Sequence, residues 1–132
     1  MRKYLTILVL AAASLLPACD STNVDDVLRL VEVQYAVVGH GGFFASEANV
    51  AYTGQDGSVV VLVDQPLPFQ RTLRIQTGST VTLNATVDDV NERSGFRIVI
   101  WSAGEIVGQA AVNGAPGDEL VSRSLSVTRT VQ

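Results

Sequence analysis

The chain has 132 residues, 47% of them hydrophobic and 17% charged, with a formal net charge of −4. That length suits one domain with a core large enough to need no metal or disulfide. The acidic balance, with no basic stripe, argues against nucleic-acid recognition, and the single cysteine excludes an internal disulfide.

Arg2 and Lys3 open the chain, the thirteen residues Tyr4 to Leu16 form an apolar run, and Ala18 precedes the lone Cys19. A membrane-spanning helix needs roughly 20 apolar residues, so residues 1–18 are predicted to be a lipoprotein signal peptide cut before Cys19. Pro17 is less usual than a small residue at that place. The Cys19 sulfur and the new amino group would then carry acyl chains. Each buried methylene contributes about 0.8 kcal/mol, and two or more chains anchor stably. Cleavage would leave seven arginines, no lysine and thirteen acids, a net charge of −6. Such a surface is repelled by anionic headgroups, so membrane contact is expected through the lipid on Cys19 alone. The predicted location is the bacterial cell envelope, outside the cytoplasm, with the inner and outer membranes both open. Residues 19–27 read as an acidic tether and 28–132 as a folded domain.

From Leu28 the pattern is strand after strand. Val31, Val33, Tyr35 and Val37 alternate with Glu32, Gln34 and Ala36, the period-two signature of a half-buried strand. Gly39-His40-Gly41-Gly42 is expected to end it. Ala48, Val50 and Tyr52 alternate next, followed by turn residues Gly54-Gln55-Asp56-Gly57. The unbroken apolar run from Val59 to Val63 predicts a strand covered on both sides. Pro66 and Pro68 mark a crossing or a sheet edge. Further strands are predicted at Thr72–Gln76, at Thr80–Val87 with Val81, Leu83, Ala85 and Val87 on one face, and at Phe96–Trp101. Ala103-Gly104 turns into Glu105–Val112, and residues 113–117 turn into Glu119–Val127. No amphipathic helix intervenes. The fold class is all-β: an antiparallel, immunoglobulin-like β-sandwich of about seven to nine strands.

The inventory for catalysis is thin, and no enzyme is expected. His40 is the only histidine and sits among glycines, which predicts a flexible, exposed loop rather than a catalytic base. No His/Cys cluster suits zinc. Asp88, Asp89, Asn91 and Glu92 match no calcium-loop spacing and read as a solvated turn. No cofactor is implied. Three aromatic residues are candidate contact sites. Phe43 and Phe44 adjoin the glycine run, so an extended backbone would expose one of the two rings. If Phe96, Ile98 and Ile100 face the core, Trp101 faces the other way.

These motifs resemble the mycobacterial membrane protein small family, MmpS. Tyr35-Ala36-Val37-Val38-Gly39 is similar to that family's strand opening, and Ala48-Asn49-Val50-Ala51-Tyr52 to the strand that follows. The Asp56-Gly57 turn, Leu67-Pro68-Phe69, the strand from Gly78 to Ala85 with Val81 and Leu83, and Ile98-Val99-Ile100 continue the likeness in the same order. It spans about residues 33–112. The resemblance implies a β-sandwich on the outer side of a cytoplasmic membrane, accompanying MmpL transporters of the resistance-nodulation-division (RND) class in export. Here a lipoprotein signal stands where that family has a transmembrane helix, and Ala103-Gly104 where it has Asp-Gly. The resemblance carries over no catalytic residue.

Three roles follow as expectations. The first is a lipid-anchored binding domain assisting an envelope transporter. The second is a carrier holding an apolar ligand between its sheets, in a cavity lined by residues such as Val50, Tyr52, Leu83 and Ile98. The third is a structural or surface-interaction lipoprotein without a transport role. The oligomeric state is open.

Overall fold

The computed structural model describes residues 29–41, 46–114, 116–117 and 119–132. The predicted signal peptide and tether, Cys19, Phe43 and Phe44 lie outside the described residues. Eight strands follow in order: β1 (Leu30–Gly41), β2 (Glu47–Thr53), β3 (Val59–Pro66), β4 (Phe69–Gln76), β5 (Thr80–Val90), β6 (Ser94–Ser102), β7 (Glu105–Asn113) and β8 (Val121–Thr130). They form two antiparallel four-stranded sheets, ordered β4-β1-β6-β7 and β3-β2-β5-β8. This is the predicted antiparallel sandwich, and eight strands fall within the expected range. None of the described residues forms a helix long and apolar enough to cross a membrane.

Alternation built the inner faces as the sequence predicts. Val33, Tyr35 and Val37 of β1, Val50 of β2, Val81, Leu83, Ala85 and Val87 of β5, and Phe96, Ile98 and Ile100 of β6 are all buried in one core cluster. Register explains the set: Tyr35 lies opposite Ile100, Val37 opposite Ile98, and Leu83 opposite Val127. Residues directly opposite in an antiparallel pair share a face. The core therefore sits where these faces meet.

Two expectations need correction. The glycine run does not break β1 at Gly39; the strand continues to Gly41, and His40 is half-buried opposite Gly95 rather than in an exposed loop. Gly95 is what makes the extension fit, since a Cβ there would stand 2.8 Å from the His40 ring and closer still to the Val112 carbonyl. The second correction concerns Val59 to Val63. That strand is not covered on both sides: β3 is an edge strand, and Val59, Val61 and Val63 are 67%, 66% and 62% exposed. Only Val60 and Leu62 turn inward, packing part-buried against the core. A continuous apolar run reads alike for a central and an edge strand.

The two ends of the sandwich differ. Leu67 and Pro68 carry the chain from edge strand β3 to edge strand β4, the crossing that the two prolines predict. On the opposite side β7 and β8 approach closely across the sheets. Gly108 permits this, because a Cβ there would lie 2.6 Å from Val127 Cγ1 and 2.9 Å from Arg129 Cγ. The Arg129 Nε donates to the Val107 carbonyl at 2.9 Å across the same seam.

Candidate interaction surface

The aromatic residues that cross between the sheets lie toward the β3/β4 side. Tyr35 of β1 and Tyr52 of β2 have ring centroids 5.3 Å apart, and Tyr52 and Phe69 of β4 are 6.1 Å apart. Tilted pairs at these separations are favourable beyond their buried area. The Tyr35 hydroxyl is fully buried and donates to the Thr53 carbonyl at 2.8 Å. Burial pushes this phenol well above its ordinary range, and the neighbouring Tyr52 adds to the shift.

Beside Tyr52 an open groove of about 510 Å³ runs between the two edge strands. Val60 of β3 and Leu73 of β4 form its sides, and the turn from Gly54 to Ser58 forms one end. The turn is ordered by Asp56, whose carboxylate accepts from the Ser58 hydroxyl at 2.6 Å and the Ser58 amide at 3.0 Å. Those two bonds, the hydroxyl first, hold the Asp56 carboxyl below its usual range. On the outer face of the same sheet lie the exposed Val59, Val61 and Val63. Among the described residues this side thus combines a backbone edge paired on one side only, an apolar stripe and a groove, which suits binding of an extended or apolar partner.

Of the sequence-predicted site residues only Trp101 is among the described residues, and it falls elsewhere. Trp101 is half-buried, on the side of β6 opposite the core residues Phe96, Ile98 and Ile100. It faces Gln34 in β1 and Ile106 in β7, and Ile106 is 53% exposed. An irregularity in the β6–β7 register between Ile100 and Trp101 brings Ile106 beside the indole. Trp101 therefore belongs to a small apolar patch on the sheet opposite the valine stripe, and the structure does not join it to the groove. Alternation placed Trp101 on the face away from the core, where it lies. The groove is missed by sequence reasoning because its residues come from three strands and a turn; Pro66 and Pro68 were the available hint of two edges.

The residues weighed for calcium do not form the solvated turn expected of them: Asp88 and Asp89 lie within β5, and only Asn91, itself buried, orders the turn into β6. Asn91 Oδ1 accepts from the Arg93 amide and the Ser94 hydroxyl, both at 3.0 Å. Glu92 accepts from the Gly117 amide at 2.8 Å, and Asp88 from the Ser122 hydroxyl at 2.9 Å. Among the described residues no group of three or more His, Cys, Asp or Glu could hold a metal ion. The expectation of a ligand held between the sheets is corrected: Val50, Leu83 and Ile98 are 1% exposed or less and pack against one another in the core cluster, and only Tyr52 borders an opening, the groove at the side of the sandwich. A scan against protein-family models finds no match for this chain, and a search of curated proteins finds none either.

Proposed function

We propose that this chain is a lipid-anchored, extracytoplasmic binding domain that assists an envelope export system of the RND (MmpL-like) type, without catalysis of its own. The observation that carries the reading is the open groove beside Tyr52, where Val60 of β3 and Leu73 of β4 offer an apolar contact surface at the side of the sandwich. The likeness to MmpS adds support. Its strand motifs fall on β1, β2, β5 and β6, and Leu67-Pro68-Phe69 falls at the crossing from β3 to β4. In this mechanism the acyl chains on Cys19 confine the domain to a membrane plane and raise its effective concentration near a membrane transporter.

Crosslinking in membranes followed by affinity capture tests it. Recovery of a multi-pass export component is expected, and its loss on Cys19→Ser would tie the partnership to the anchor. Recovering no envelope transporter component would refute the accessory role. The groove favours a second reading, a carrier of an apolar ligand bound at the sandwich edge rather than between the sheets. In that case an apolar fluorescent probe should bind the wild type, and Leu73→Asp should abolish its uptake.

A further inference from the structure

On the outward face of the β3-β2-β5-β8 sheet the inner strands present Asn49, Thr82, Asn84 and Thr86, with the small Ala51 the one apolar exception, whereas β3 presents valines. Asn49 lies opposite Thr86, which bonds Ser124 at 2.7 Å, and Thr82 bonds Thr128 at 2.9 Å. Yet Val59, Val61 and Val63 on the edge are each more than 60% exposed. Edge strands are ordinarily guarded by charge, by inward-facing charged residues, or by cover. Here β4 carries Arg71 opposite the buried Tyr35, and β8 carries Arg123 and Arg129 opposite the buried Val87 and Val81. The fourth edge, β7, packs against β8. Among the described residues β3 pairs with β2 alone, and no charged residue occurs from Val59 to Val63.

We propose that a second copy of this chain occupies this edge. The two β3 strands pair antiparallel about Val61 and join two four-stranded sheets into one of eight. The sequence of the edge is self-complementary in that register. Val61 faces Val61 of the partner subunit, and Val59 faces Val63 of the partner subunit, so the two apolar stripes become continuous. Asp64 falls opposite Ser58 of the partner subunit, whose hydroxyl is bonded to its own Asp56, so carboxylates gather only at the two ends of the ladder and its five central pairs are free of charge. Asp64 also ends the ladder: its φ of 52° and the register shift against Asn49 kink the strand, and Pro66 lacks an amide to donate. The contact spans about five residues a side, against roughly 20–30 in a standard interface. Pairing is therefore weak in dilute solution. Because each copy has a net charge of −4, added salt strengthens it.

Register-specific crosslinking tests the pairing in the full-length chain, purified in mild detergent with Cys19→Ser so that each added cysteine stands alone. Directly opposed residues have Cα atoms about 4.5–5.5 Å apart, within disulfide reach. Val61→Cys should therefore give a disulfide-linked dimer under mild oxidation. Val59→Cys alone should not, because two copies of residue 59 lie four positions out of register, roughly 13 Å apart. Mixing Val59→Cys with Val63→Cys should restore the dimer. In sedimentation equilibrium, Val61→Lys should weaken association at least about tenfold, a free-energy change of about 1.4 kcal/mol, while the fold is retained. Equal crosslinking of Val59→Cys and Val61→Cys would overturn the register. A concentration-independent monomer at every salt level would overturn the dimer, leaving the edge to a different partner.

Discussion

Tyr35→Phe is the most informative perturbation of the core. It removes one hydroxyl from a side chain with no exposed surface and leaves the Thr53 carbonyl without its 2.8 Å donor. The net loss of a hydrogen bond plus an orphaned buried acceptor costs about 1–2 kcal/mol at neutral pH. For a domain near 100 residues this lowers Tm by roughly 4–8 °C per kcal/mol. The alkaline limb gives a sharper signature. Burial favours the neutral phenol, so the folded-state pKa lies above the unfolded value near 10. Stability from this group is complete below pH about 10 and is lost as pH rises toward the folded value. Between pH 10 and 11 the wild type should lose about 1 kcal/mol to tyrosine ionisation in the unfolded state. Tyr35→Phe should lack that decline, so the gap between the two proteins should narrow by the same amount. Lysine titration does not interfere, because the only lysine in the chain is Lys3. Urea unfolding followed by the fluorescence of Trp101, the single tryptophan, measures both effects. Parallel pH profiles for the two proteins across this window would refute the assignment of Tyr35 as a buried, neutral donor.

Asn91→Ala should destabilise by about 1–3 kcal/mol, since the Arg93 amide and Ser94 hydroxyl lose their acceptor; Asn91→Asp, which keeps an oxygen there, should lose less, and equal denaturation midpoints for all three proteins would contradict this role. Gly108→Val should cost on the order of 1–3 kcal/mol through overpacking against Val127 and Arg129, read as a lower urea midpoint. The Asp56 carboxyl has a depressed pKa, so its bonds to Ser58 persist down through the ordinary aspartate range and are lost only as pH falls through the lower folded value. The Ser58 amide resonance should report a midpoint below about 3.9, and a midpoint at or above that value would show the Asp56–Ser58 contact to be absent in solution.

Much of the fold was legible wherever a strand buries one face. Val81, Leu83, Ala85 and Val87 announce both the strand and its inward side, because a polar residue at each intervening position leaves one register that hides the valines. Val59 to Val63 carries no such information. Five apolar residues in a row leave either face free to turn inward, and its place at the edge depends on β2 and on the crossing at Leu67 and Pro68. His40 was misread for a related reason. Glycine is permissive, so the run from Gly39 to Gly42 looks like a break until Gly95, more than fifty positions away, is seen to accommodate the imidazole. The groove beside Tyr52 belongs to the same class, since no local pattern pairs Val60 with Leu73.

The contrast between the two sides of the sandwich also bears on how the molecule breathes. The β7/β8 side, closed by Gly108 and by Arg129 on the Val107 carbonyl, behaves like the spine of a book, and β3 and β4 are its fore-edge. Edge strands are paired on one side only, so amides of β3 and β4 should exchange with solvent ahead of those of the internal strands β6 and β5. The Tyr35–Tyr52–Phe69 aromatic set then acts as the clasp. Its loosening would widen the space beside Tyr52 while the spine keeps the two sheets in register, so a guest could be admitted there without global unfolding.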